Sequence, residues 1–374
     1  MITVLMLGWE YPPHVTGGLA PATAGIVQGV LAAGERVELI VADARGAGGA
    51  PNLSVRGVFE GGARGGYVSG IVDEVMRYAA VAEAIARPLT FDVIHAHDWL
   101  TAPAAKRIAK AHRRPWVLHV HATEFDRAGE HGNAQVAAIE RAAVRDADAI
   151  IAVSAYTADI LATRYGADRA RITVVHNAVD RLAPWIADED EDTPHRPCVL
   201  FLGRITFQKG PDYFIEAARL VLGERPDVLF IVAGDGDMRG RLMEHVAGLG
   251  LGASIVFTGF IPPEEAARLM ARADVFVMPS VSEPFGLVAL EAARAGTPVI
   301  LGKGAGVSEL ARDVLLVDFW DVRRMADRIL ATLTYPSLRR ELVQRGRAAL
   351  DKWSWEDAGQ RIAAVYASLP RLAA

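Results

Sequence analysis

The chain has 374 residues, enough for two domains of ordinary size, each with its own hydrophobic core. Apolar residues make up 51% and charged residues 23%, a balance that excludes disordered, collagen-like and coiled-coil classes. The formal net charge of −5 equals the acidic run Asp188 to Asp192, so the remainder is neutral and lacks the basic surface that a nucleic-acid partner requires.

The N-terminal run Ile2 to Leu7 is apolar. No basic residue precedes it and no small-residue cleavage site follows, so it reads as a buried strand rather than a signal peptide. Further strands are expected at Val37 to Val41, Val93 to Ala96, Trp116 to Val120, Ala149 to Val153 and Ile172 to Val175. Between them lie segments of helical period, about a dozen residues or longer, as parallel crossovers require. The first of these helices opens at Gly17-Gly18-Leu19 and runs to about Ala33, and another follows Ser154, a natural N-cap. Glycine-rich stretches at Gly46 to Gly49 and Gly61 to Gly66 lack the strand-turn-helix setting of a phosphate loop and read as flexible.

Leu182 to Pro197 combines three prolines with the acidic run and reads as a solvated linker, which separates residues 1–182 from a second domain over 198–352. The alternation restarts beyond it, with strands expected at Val199 to Leu202, Val228 to Val232, Ser254 to Thr258, Val275 to Met278, Val299 to Leu301 and Val314 to Val317. Two consecutive doubly wound α/β domains of Rossmann-like type follow from this pattern. A last helix, Trp355 to Leu369, carries Ile362, Val365, Tyr366 and Leu369 on one face. The lone Cys198 cannot form an internal disulfide, and its apolar neighbours suggest an inert buried thiol in a reducing cytoplasm. No run of eighteen apolar residues could form a transmembrane helix, while an amphipathic surface contact with a membrane stays open.

Three constellations could carry chemistry. Gly17 and Gly18 open a helix, where unpaired amides could meet a phosphate; a tight turn needing positive φ is the equal alternative. Arg204 and Lys209 lie at the carboxyl edge of the second sheet, spaced to clamp a diphosphate or else to stand as solvated surface cations. The most specific is Glu283-Pro284-Phe285-Gly286-Leu287 with Glu291. Pro284 and Gly286 mark a tight helix entry whose amides point at an anion, and the two carboxylates suit the hydroxyls of a nucleotide sugar. Among the histidines, His95 and His97 project the same way from one strand, but no third ligand stands at a fixed spacing, so no metal site is expected. His121 suits a neutral hydrogen-bonding role, and Asp235-Gly236-Asp237 reads as a turn rather than a metal pair.

With Thr16-Gly17-Gly18-Leu19, Gly203-Arg204, Lys209-Gly210, Ala233-Gly234-Asp235-Gly236, Phe257-Thr258-Gly259-Phe260 and Glu283 spaced seven residues from Glu291, the chain resembles the retaining glycosyltransferases of family 4 over nearly its whole length. The resemblance implies a GT-B fold, with the site in the cleft between the two domains and residues 353–374 crossing back to the first. It implies that Arg204 and Lys209 neutralise the leaving diphosphate, that Gly17 and Gly18 meet it, and that Glu283 with the amides of Phe285, Gly286 and Leu287 holds the sugar. Glu291 would hold the ribose, His121 would lie close to the sugar, and Gly234 and Phe260 would line the donor site; no cofactor and no metal is implied. Trp9-Glu10-Tyr11-Pro12-Pro13, His95-Ala96-His97-Asp98-Trp99 and His121 to Asp126 look like the short prokaryotic glycogen and starch synthase branch. That branch would use ADP-glucose or UDP-glucose and extend an α-1,4-glucan or malto-oligosaccharide. Two positions depart from it: Val15 stands where its members carry a lysine, and Phe285 where they carry a small residue. The alternatives are a family 4 enzyme acting on a lipid, small metabolite or surface polysaccharide, a nucleotide-sugar binder without turnover, and a hydride-transfer enzyme. The missing G-x-G-x-x-G weighs against the last.

Overall fold

In the computed structural model the apolar runs form two parallel sheets. The structure describes residues 1–15, 17–59, 70–179, 196–310, 314–351 and 353–370. Thr16, the Gly61 to Gly66 stretch and linker residues 183–195, with the run Asp188 to Asp192, lie outside the described residues. Two compact units emerge, Met1–Asp180 with Trp353–Ala374, and Arg181–Lys352.

The first unit holds β1 (Thr3–Leu7), β2 (Arg36–Val41), β3 (Leu53–Gly57), β4 (Val93–His97), β5 (Trp116–Val120), β6 (Ala149–Ala152) and β7 (Ile172–Val174). They pair in the order β3-β2-β1-β4-β5-β6-β7. Its crossovers are α1 (Leu19–Ala32), α2 (Ile71–Ala86), α3 (Asp98–His112), the short α4 (Glu124–Ala128), α5 (Ala134–Asp146) and α6 (Ala155–Arg164). The second unit holds β8 (Cys198–Leu202), β9 (Leu229–Ala233), β10 (Ile255–Gly259), β11 (Val275–Met278), β12 (Val299–Gly302) and β13 (Leu315–Val317), ordered β10-β9-β8-β11-β12-β13. Helices α7 (Pro211–Glu224), α8 (Arg239–Gly248), α9 (Pro263–Arg272), α10 (Leu287–Ala295), α11 (Val322–Thr334) and α12 (Pro336–Leu350) belong to it, and α13 (Trp355–Ser368) returns to the first unit.

Central strands such as β4 and β11 are buried along their whole length, because helices cover both faces of a parallel sheet. The edge strand β3 escapes sequence reading for the opposite reason. Its five residues are half-buried or exposed and carry only two large apolar side chains, so no buried run marks it. Ser154 does cap α6, its hydroxyl accepting from the Thr157 amide at 3.0 Å.

Helix α13 lies directly on α1. A Cβ on Gly29 would fall 2.1 Å from the Trp355 carbonyl oxygen, and one on Gly359 would fall 2.0 Å from the Gly29 carbonyl oxygen. Gly25 gives way to the Trp355 ring in the same manner. Gly25 and Gly29 share one helix face at a spacing of four, so both open the same groove.

Cys198 is buried at the start of β8. Burial first, and the Asp274 carboxylate second, push its thiol up to about 12. The thiol is therefore uncharged at pH 8, and a chromogenic disulfide reagent should report no reaction until denaturant is added. Rapid release of colour from the folded protein would contradict this burial.

Candidate active site

The second unit gathers its expected site residues at the carboxyl edge of the sheet, where β8, β9, β10 and β11 end. Backbones come unusually close there. A Cβ on Gly234 would sit 2.0 Å from the Gly203 carbonyl oxygen, and one on Gly236 would sit 2.3 Å from that of Ile205. Gly234 also has φ of +130°, a region that L side chains rarely adopt. Both glycines are thus demanded by the fold itself. Asp235 accepts from the Gly236 amide at 2.8 Å and faces Arg239 at 3.8 Å, as a turn residue does.

The loop from Arg204 to Gly210 is tied down at several points. Arg204 is exposed and donates to Gln208 Oε1 at 3.1 Å, while the buried Gln208 accepts the Val281 amide at 2.9 Å through its carbonyl oxygen. Gly210, at φ +64°, packs so tightly against Pro279 that a Cβ would lie 2.3 Å from that carbonyl oxygen. The outcome is an ion pair that spacing alone does not reveal. Lys209 Nζ donates to Glu283 Oε2, 74 residues away, and Ser280 Oγ donates to the same oxygen at 3.4 Å. Glu283 is buried, whereas the Lys209 side chain keeps 19% of its exposure.

Helix α10 begins immediately beyond. Gly286 is its N-cap at φ +105°, with no side-chain cap and no acidic residue in the first turn, so Leu287 starts a helix whose leading amides have no side-chain acceptor at the cap. That end favours an anion. Phe285 is buried, Glu291 is exposed on the second turn, and Phe260 follows β10 with 69% of its surface exposed.

In the first unit, Gly17 and Gly18 are exposed ahead of α1. Gly18 has φ −67° and neither glycine is among those with positive φ, which removes the turn that would have required it. A Cβ at either would meet nothing within 4 Å. The fold therefore places no demand for glycine at these positions.

The histidines form a block that the sequence reading did not foresee. Parallel pairing sets His97 opposite His119, so His95, His97, His119 and His121 lie together. His95 and His119 are joined edge to edge at 3.1 Å, His97 and His121 at 2.8 Å, and the two pairs stack with centroids 4.5 to 4.7 Å apart. His119 thus supplies the third nitrogen that spacing did not reveal, and one nitrogen from each of His95, His97 and His119 lies within 4.8 Å of the others. These nitrogens belong to two layered, nearly parallel ring pairs, each joined internally through one nitrogen of each ring. Burial depresses every imidazole, His95 down to about 3, and the rings are neutral. The hydroxyl of Tyr366 on α13 closes the far end on His95 Nδ1 at 2.5 Å.

Asp98 is the residue whose role the sequence left unassigned. It holds φ +57° at the head of α3, and its Oδ1 accepts the amides of His121 at 2.6 Å and Ala122 at 3.3 Å.

Comparison with known proteins then identifies the lineage. Residues 16–181 match the family model described as Glycosyltransferase Family 4, and residues 186–349 match that described as Glycosyl transferases group 1. A glycogen synthase of Mycobacterium tuberculosis is 30% identical over 98% of this chain and 95% of its own. The chain belongs to glycosyltransferase family 4. Its fold is GT-B, two Rossmann-like domains, as in a sucrose-phosphate synthase from Thermosynechococcus elongatus (TM-score 0.82, 21% identity, 98% of both chains). The Anabaena protein HepE, solved with UDP-glucose, has the same fold (TM-score 0.76, 20% identity, 99% of this chain and 100% of its own). This glycosyltransferase has no helix among the described residues that is long and apolar enough to cross a membrane.

Proposed function

We propose that this glycosyltransferase moves glucose, with retention of configuration, from ADP-glucose or UDP-glucose to an α-1,4-glucan or malto-oligosaccharide. The observation that carries the donor assignment is the grouping at one sheet edge of Arg204, the Lys209–Glu283 pair and the uncapped head of α10. A diphosphate arriving there would draw the Lys209 ammonium from Glu283 and lie against the α10 amides, as charge builds on the departing oxygen. The freed Glu283 carboxylate would then accept from sugar hydroxyls, and Glu291 from the ribose. The bond between the anomeric carbon and the diphosphate oxygen breaks, the acceptor oxygen bonds to that carbon from the same face, and the acceptor proton passes to the departing phosphate. His121, neutral, serves as a hydrogen-bonding group for the sugar, and Gly17 and Gly18 offer backbone to the diphosphate. No metal and no cofactor has a part in this scheme.

The likeness to a glycogen synthase along almost the full length of both chains supports the glucan acceptor, and the UDP-glucose held by HepE supports the donor class. A second reading keeps the donor and changes the acceptor to a lipid, surface polysaccharide or small metabolite; the sucrose-phosphate synthase likeness favours the last. We place the protein in the cytoplasm, where nucleotide sugars and glucan would meet. Nucleoside diphosphate release should be measured with ADP-glucose, UDP-glucose and GDP-mannose, each with and without glycogen or maltoheptaose. Release from one glucose donor only when glucan is present is expected. Release indifferent to glucan would move the acceptor to the second reading, and silence with every donor would overturn the donor assignment.

A further inference from the structure

The segment that carries His121 is held in an unusual way. Six consecutive amides, from His121 to Asp126, each donate to a side chain. Those of His121 and Ala122 go to Asp98, that of Thr123 to Asp126 Oδ2 at 2.8 Å, and that of Asp126 back to Thr123 Oγ1 at 3.3 Å. The remaining two reach distant elements. Glu124 donates to Glu140 Oε1 on α5 at 2.8 Å, and Phe125 donates to the hydroxyl of Tyr165, just beyond α6, at 3.3 Å. Tyr165 in turn donates to Glu140 Oε2 at 2.6 Å, which locks the two anchors together.

A capping box at Thr123 and Asp126 already satisfies the head of α4. Helix α4 is five residues long, far too short to hold its own geometry, so its position depends on what its ends are tied to. We propose that Glu140 and Tyr165 are positioning residues for His121, acting by fixing the Glu124 and Phe125 amides and with them the strand-to-helix turn that presents the imidazole. This role rests on the glycosyl-transfer reading, in which His121 faces the sugar.

The burial of Glu140 argues for a role beyond packing. Its side chain is 7% exposed, and desolvation above all raises its carboxyl to about 7 despite the Tyr165 hydroxyl and Arg127, 4.0 Å away. Asp98 adds to the upward shift, Glu124 is the other carboxylate at Arg127, and Arg141 lies over the Tyr165 ring at 5.8 Å. The native chain therefore binds the Glu140 proton more tightly than the unfolded chain does, and stability contributed by that proton is lost as pH rises towards and through 7. Glutamine keeps an acceptor for the Glu124 amide and removes the ionisation, but its amide nitrogen cannot accept the proton that Tyr165 donates to Oε2, so the link between the two anchors is lost.

The test compares Glu140→Gln and Tyr165→Phe with the wild-type chain. Glucosyl transfer, thermal melts at pH 5.5 and 8.5, and hydrogen exchange of the peptide spanning 121–126 are measured. Glu140→Gln should gain melting temperature relative to wild type between pH 5.5 and pH 8.5, yet lose about tenfold in kcat, with donor KM changed less than twofold. Tyr165→Phe should show a comparable kcat loss, and exchange in 121–126 should quicken in both variants. Wild-type kcat in both variants would overturn the proposal, as would a kcat loss matched by an equal loss of melting temperature at every pH. If the wild-type chain itself transfers nothing, the functional reading has failed instead. The exchange measurement still decides the structural part, since unchanged protection of 121–126 in Tyr165→Phe would show that the anchor holds nothing.

Discussion

Replacing Lys209 with methionine should lower transfer by about 100- to 1,000-fold, the usual loss when one preorganised charge is removed from a developing anion. It should also destabilise the second unit, because Glu283 is buried and, among the described residues, its carboxylate would keep only the Ser280 hydroxyl at 3.4 Å. Breaking a buried pair from one side costs about 3–5 kcal/mol, and the lower end applies here since Lys209 keeps 19% of its exposure. Adding Glu283→Gln should restore most of that stability, because a neutral pair of similar volume carries no uncompensated charge. Activity should not return. The double variant therefore separates folding from chemistry, with denaturant melts reading the first and nucleoside diphosphate release the second. A double variant as unstable as the single one would mean that the two side chains are not energetically coupled. Full activity in Lys209→Met would remove this edge of the sheet from the reaction.

Gly359→Ala should destabilise the first unit although it places a better helix former in a helix. On an exposed helix the change is worth about 0.5–1 kcal/mol in favour of alanine. At Gly359 the new methyl would lie 2.0 Å from the Gly29 carbonyl oxygen and 2.1 Å from its carbon, both backbone atoms that no rotamer change can move. Forcing α13 away from α1 carries the penalty of overpacking, about 1–3 kcal/mol or more, and would strain the Tyr366 contact to His95. Gly240→Ala in α8 is the control, since a Cβ there meets nothing within 4 Å. Thermal melts should move in opposite directions, down by several degrees for Gly359→Ala and slightly up for Gly240→Ala. A Gly359→Ala variant that melts no lower than wild type would show that the helices do not touch through their backbones.

Much of this was legible along the chain, and what was legible has a common cause. Buried parallel strands need continuous apolar runs, so β1, β4, β5, β8 and β11 announced themselves, whereas β3, half-buried and polar on an edge, did not. The head of α10 was legible because Pro284, Gly286 and the carboxylates lie within one short stretch, where spacing alone fixes their relation. Lys209 and Glu283 were each marked as site residues, but their pairing across 74 positions depends on Gly210 seating against Pro279.

By itself, then, the sequence determined two doubly wound domains and marked Arg204, Lys209 and Glu283 as residues of one sheet edge, because each rests on local period or a short spacing. The tertiary structure alone decided the rest. It paired His97 with His119 by strand register and turned Asp98 onto the His121 amide. It brought Glu140 and Tyr165 to the turn before α4, and seated α13 on the glycines of α1. These relations join residues far apart in the chain, and only the packing of whole elements sets the distances between them.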